Sequence, residues 1–210
     1  MAKKAKKKVA IKKVETPLTP LEAKRVAIAK DALAQVKAEK YEVIAGNGYI
    51  VNYDLDDQIS NLYYSLDEHG QNPEKVELRE YLDKMLGNVN KCEVCAKGAL
   101  FLSAIRKFNN YSIEDAVMCL DAAASNETQK IFGLRNADLI ESYFEHSDPY
   151  KEFQIGEEWF SYRWSDGYPD DQERLILILK NVIANKGTFT PSKLKWKSAK
   201  QMLTIDEEGL

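Results

Sequence analysis

Two of the three cysteines stand in a Cys-x-x-Cys step, Cys92 and Cys95, at the head of the run "KCEVCAKGALFLSAIRKF". Three chemistries use that spacing. A structural zinc site needs four ligands, usually from two such steps or from one step and two histidines. This chain offers one step, a lone Cys119 and two histidines, so the only metal set it can propose is Cys92, Cys95, Cys119 and His146, with no spacing pattern behind it. A redox pair gains from a helix N-terminus, where the dipole favours the thiolate. Glu93 and Val94 between the cysteines lack the usual thioredoxin surround, and no β-α-β pattern flanks them. A nucleophilic cysteine would need a histidine base, and His146 is the one downstream. Against all three stands core packing. Cys92, Cys95, Ala96, Ala99, Leu102 and Ile105 recur at three- and four-residue steps, and a buried cysteine behaves as a small hydrophobe. The periodicity predicts a close-packed helix from near Cys92 to Phe108, with no catalytic residue and no cofactor; an enzyme or a metal protein is the minority reading.

A second group of side chains is aromatic. Trp159, Phe160, Tyr162 and Trp164 crowd into "EEWFSYRWSDGY" among many acids, within residues 147–168, the longest stretch expected to be irregular. Aromatic platforms for nucleic acid need a basic groove beside them, which Lys151 and Arg163 hardly supply. Clustered Trp and Tyr on a loop suit a protein-binding surface, though covering the core is as common a role. Paired acids such as Glu157 and Glu158 are adjacent in sequence, so they do not face each other as an acid/base couple.

Charge is distributed unevenly. Lys3, Lys4, Lys6, Lys7, Lys8, Lys12 and Lys13 occupy a first stretch of thirteen residues that holds no acid. Removing their +7 from the net charge of −3 leaves −10 for the rest. An acidic body repels phosphates, so any grip on nucleic acid would come through this lysine-rich tail.

These groups need elements to position them. At 210 residues and 44% hydrophobic content the chain can bury one sizeable core. No run approaches the ~18 apolar residues of a membrane span, and no apolar segment follows the lysines as in a secretory signal, so an intracellular protein without a membrane is expected. Thr19, Pro20 and Glu22 form a capping box, and Leu21, Val26, Ala29, Leu33 and Val36 follow at helical spacing. Tyr41–Ala45 and Tyr49–Tyr53 flank Gly46-Asn47-Gly48, which predicts a hairpin. "DLDDQISNLYYSLDEHG" reads as a short helix, and another starts at Pro73 and stops at Gly87. Ser112 opens a helix through "SIEDAVMCLDAAAS", and "NETQKIFGL" and "NADLIESYFEH" read as two more. The last, from Pro169 to Gly187, is apolar nearly all round from Leu175 to Ile183, which predicts a central position. The expected fold is α+β and mostly helical, with about six or seven helices around that central one and a small hairpin. Residues 1–18 read as a basic tail, 19–190 as a single domain and 191–210 as a C-terminal tail from which Leu194 and Trp196 can dock back.

"RVAIAKDALAQVKAEKYEVIAGNGYI", "CEVCAKGALFLSAI" and "RLILILKNVIANKGTFTP" together resemble an uncharacterised family of small proteins of tailed bacteriophages, over roughly residues 24–191. The resemblance implies an origin in a phage and work in the infected bacterium's cytoplasm or in the virion; the family has no established activity, so no site residue is carried over. The functional expectation is a non-enzymatic phage accessory protein that binds a protein partner. Alternatives are a nucleic-acid-associated or virion-internal protein acting through the lysines, and a cysteine-dependent enzyme or metal-binding protein.

Overall fold

A computed structural model describes residues 17–46, 50–51, 53–88, 92–108, 111–145, 150–155, 158–163 and 170–191, with the backbone alone for Val51, Tyr53, Asp54, Asn88, Met118, Cys119, Asp121, Ala122 and the strands within 150–163. The fold is α+β and mostly helical. Helix α1 (Pro20–Lys37) starts as its sequence requires: the Thr19 N–H donates to Glu22 Oε2 at 2.7 Å, and the Glu22 N–H returns a bond to Thr19 Oγ1 at 3.2 Å. Its buried face holds Val26, Ile28, Ala29, Ala32 and Val36, whereas Leu21 is exposed.

Strands β1 (Tyr41–Val43) and β2 (Ile50–Val51) do not form the expected hairpin with each other. Strand β3 (Cys92–Val94) lies between them, parallel to β1 with Tyr41 opposite Cys92, and antiparallel to β2 with Ile50 opposite Val94. Two strands this short cannot bury an apolar face on their own. Inserting Cys92 and Val94, both at most 1% exposed, gives each strand a partner and completes one buried sheet. Cys92 therefore belongs to a strand, and the helix starts only at Ala96.

Helix α2 (Tyr53–Glu68) leads to a single 3-10 turn at Pro73–Lys75, capped by Asn72. The chain then extends: the Leu78 N–H donates to the Tyr111 carbonyl and the Ile113 N–H to that of Val76, both at 2.9 Å. This bridge interrupts the helix expected from Pro73, and α3 runs only over Arg79–Asn88. Helix α4 (Ala96–Phe108) is buried at every position from Ala96 to Ile105 and packs on α1, α3, α5 and α6. Helix α5 (Ile113–Phe132) opens on Ser112, whose hydroxyl accepts the Asp115 N–H at 3.1 Å. It joins the two helices read as separate, because no breaking residue stands between Ser125 and Phe132. Gly133, at φ +84°, ends it and α6 (Leu134–Glu145) follows.

Strands β4 (Tyr150–Ile155) and β5 (Glu158–Arg163) pair antiparallel over six residues each, in the stretch expected to be irregular. Helix α7 (Asp171–Ala184) is capped by Asp170 and packs on α1, α6 and β1. It is not the central helix. Lys180 is exposed and Ile176 and Ile183 are half-buried, so the place expected for α7 falls to α4.

Candidate functional site

β3 delivers Cys92 into the core and Cys95 to the junction with α4. β1 runs parallel beside it, so the carboxyl ends of β1 and β3 open at one place, the position where open parallel sheets usually bind ligands. Cys95 stands there with Lys97, and α5, α6 and α7 contribute Ser125, Asp138, Glu141, Glu145, Asp171 and Arg174.

Both cysteines are unpaired thiols at 0 and 1% exposure. Burial pushes the Cys92 thiol up to about 12, and the nearby Asp56 and Glu93 add to that. Burial also raises the Cys95 thiol; the Gly98 and Lys97 N–H groups at the start of α4 pull the other way and lose. The helix terminus that could have activated a redox pair is present, but desolvation outweighs it.

Lys97, 1% exposed, is the most deeply buried cation of the junction apart from Arg174. Its ammonium sits 3.2 Å from Asp138 Oδ1, contacts Glu141 Oε2, and lies 3.4 Å from Ser125 Oγ. Gln129 Nε2 donates to the same Asp138 oxygen at 3.2 Å, and Thr128 Oγ1 donates to the Lys97 carbonyl. Lys97 thus pins the start of α4 to α5 and α6. The turn after β1 is pinned in the same manner. The Ala45 N–H donates to Asp171 Oδ2 at 2.8 Å, the Gly46 N–H to Glu145, and Arg174 Nη2 holds the other Asp171 oxygen at 2.7 Å from a position over the Phe144 ring. Burial raises the Glu145 carboxyl, with the Gly46 N–H opposing.

A second buried cluster lies at the other end of α4. Arg106 donates to Tyr41 Oη and to Asp83 Oδ1, each at 2.6 Å, and reaches Asp31 Oδ2 at 3.5 Å, while Lys107 bonds the other Asp31 oxygen. Burial pushes the Tyr41 hydroxyl up to about 12. Neither cluster was foreseen. A lysine within the apolar run from Cys92 to Ile105 was the one local signal, because a cation there must bring its own counter-charges.

The junction holds neutral thiols, a lysine already engaged by two carboxylates, and no histidine among the described residues; His69 is exposed on the Ser65 carbonyl. The arrangement joins the start of α4 and the turn after β1 to α5, α6 and α7. Among the described residues no three His, Cys, Asp or Glu side chains converge to hold a metal. Of the proposed ligand set, Cys95 stands at the junction, Cys92 lies in the core on β3, Cys119 falls on α5, and His146 lies outside the described residues.

The aromatic residues are placed by the β4–β5 ribbon. Trp159 pairs with Gln154, Phe160 with Phe153 and Tyr162 with Lys151. Trp164 lies outside the described residues, as do Lys3, Lys4, Lys6, Lys7, Lys8, Lys12 and Lys13. Among the described residues, each of the two strands pairs only with the other. No helix among them is long and apolar enough to cross a membrane. Comparison with family models, with curated proteins and with solved structures finds no match. Fold and site together define a mostly helical α+β protein with a buried polar junction and a two-stranded aromatic ribbon.

Proposed function

We propose that this chain is a non-enzymatic accessory protein of a tailed bacteriophage, working in the host cytoplasm or the virion, that binds a host or virion protein through the β4–β5 ribbon. The observation that carries the reading is the ribbon itself: five of its twelve strand positions are aromatic (Tyr150, Phe153, Trp159, Phe160, Tyr162), and among the described residues no further strand occupies its outer edges. An unpaired edge offers main-chain bonds to an incoming strand, and aromatic side chains supply the dominant contacts of most interfaces. The raised thiols at the β3–α4 junction favour binding over catalysis.

The test compares the tagged wild type with Trp159→Ala/Phe160→Ala in affinity purification from infected cells. Loss of interface aromatics costs about 2 kcal/mol or more, roughly a 30-fold weakening, so a partner held by the wild type should be missing from the variant at matched expression and unchanged circular dichroism. Equal recovery would remove the ribbon from the interface. The seven lysines within residues 1–13 support a second reading, association with nucleic acid. Under it, deleting residues 1–13 abolishes a DNA affinity that falls steeply with salt, and the ribbon variant keeps it.

A further inference from the structure

An apolar groove of about 500 Å³ lies between the start of α6 and the extended segment after α7, walled by Phe132, Leu134, Leu139, Phe189 and Pro191. Leu134 is 62% exposed there, in a molecule that buries most of its large aliphatic side chains. The segment forming the far wall is fixed by two asparagines. Asn181 on α7 accepts the Thr190 N–H at 2.7 Å and donates to the Thr190 carbonyl at 2.8 Å; Asn136 on α6 accepts the Phe189 N–H at 2.8 Å. The clamp leads directly to Pro191, which is itself part of the groove wall.

We propose that this groove is a docking site for the chain's own C-terminal segment, residues 192–210, with Leu194 and Trp196 as its anchors. The sequence after Pro191 reads Ser-Lys-Leu-Lys-Trp-Lys, in which Leu194 and Trp196 are the first large apolar residues. Three and five residues of chain span at most roughly 10 and 17 Å, so both side chains are within reach of a groove whose rim Pro191 already forms. Attachment in cis raises the effective concentration of this segment to the order of millimolar, which favours it over a separate partner or a second copy. A buried tryptophan covers about 150–250 Å² of apolar surface, and Leu134 is the apolar side chain that the groove leaves open to it. This inference is independent of the ribbon's role.

The test places the photo-crosslinker p-benzoylphenylalanine at position 134 of the full-length chain, where the exposed leucine tolerates a larger ring. Irradiation is followed by peptide mapping. The expected product is an intramolecular crosslink, at monomer mass, into residues 192–210. Trp196→Ala in the same background should lower its yield about tenfold, the effect of ~1.4 kcal/mol of lost anchoring. Crosslinks that join two chains, that map outside residues 192–210, or whose yield ignores Trp196→Ala would each overturn the proposal.

Discussion

Alanine in place of Lys97 lowers the unfolding free energy by about 3 kcal/mol, the low end of what breaking a buried ion cluster costs. The low end applies because Asp138 and Glu141 are 28 and 25% exposed and recover some hydration once the ammonium is gone, whereas Lys97 itself is 2% exposed at its side chain. Losing the lysine leaves two facing carboxylates without their common cation and opens a space between α4 and α6. Urea unfolding should show it as a drop in midpoint of about 1 M or more. A compensating set separates charge from packing. Lys97→Met combined with Asp138→Asn and Glu141→Gln removes all three charges and refills the volume, so most of the loss should be recovered. A single Lys97→Ala variant with an unchanged midpoint would show that the junction does not depend on this cluster.

Gly187→Ala is the second large effect, and Gly46→Ala is its control. Both glycines have positive φ, +86° and +87°, so either substitution meets the left-handed penalty of about 1–2 kcal/mol. They differ in space. A Cβ at position 187 would lie 2.5 Å from Arg25 Cβ and 3.1 Å from its Cδ; at position 46, none of the described atoms beyond its chain neighbours comes within 4 Å. Arg25 cannot swing away. The clashing atom adjoins the backbone of α1, and its Nε is bonded to the Ile131 carbonyl at 2.7 Å. α1 must therefore part from the end of α7, adding about 1–3 kcal/mol of overpacking to the backbone cost. Thermal unfolding of the two variants should place Gly187→Ala clearly below Gly46→Ala; equal melting temperatures would contradict the close approach.

The starts of α1 and α5 were legible because each is written locally. Thr19 with Glu22 and Ser112 with Asp115 make the caps that their spacing implies. The order of the sheet was not, because β3 joins two strands more than forty positions before it, and a three-residue strand has no periodicity to set against the helical repeat that follows. That is why Cys92 read as the first turn of a helix. The ribbon was hidden for another reason. Acids and aromatics in "YKEFQIGEEWFSYR" look like a loop, although Gly156-Glu157 between two aromatic-rich runs is the spacing of a two-residue hairpin. Lys97 depends on Asp138, 41 residues away, so its burial could be suspected from sequence but its partners could not be assigned.

The Cys-x-x-Cys step is the feature of this chain that most resembles an active site, and both of its thiols are buried. The most direct test is alkylation of the native protein by iodoacetamide between pH 7 and 9, with each cysteine quantified by mass spectrometry. With thiols at 0 and 1% exposure, both raised by burial, Cys92 and Cys95 should be labelled only through unfolding. That makes them about a thousandfold or more slower than in urea, with no rapid phase at any pH in the range. Rapid native labelling of either cysteine at neutral pH would contradict the account and return the β3–α4 junction to consideration as a reactive centre.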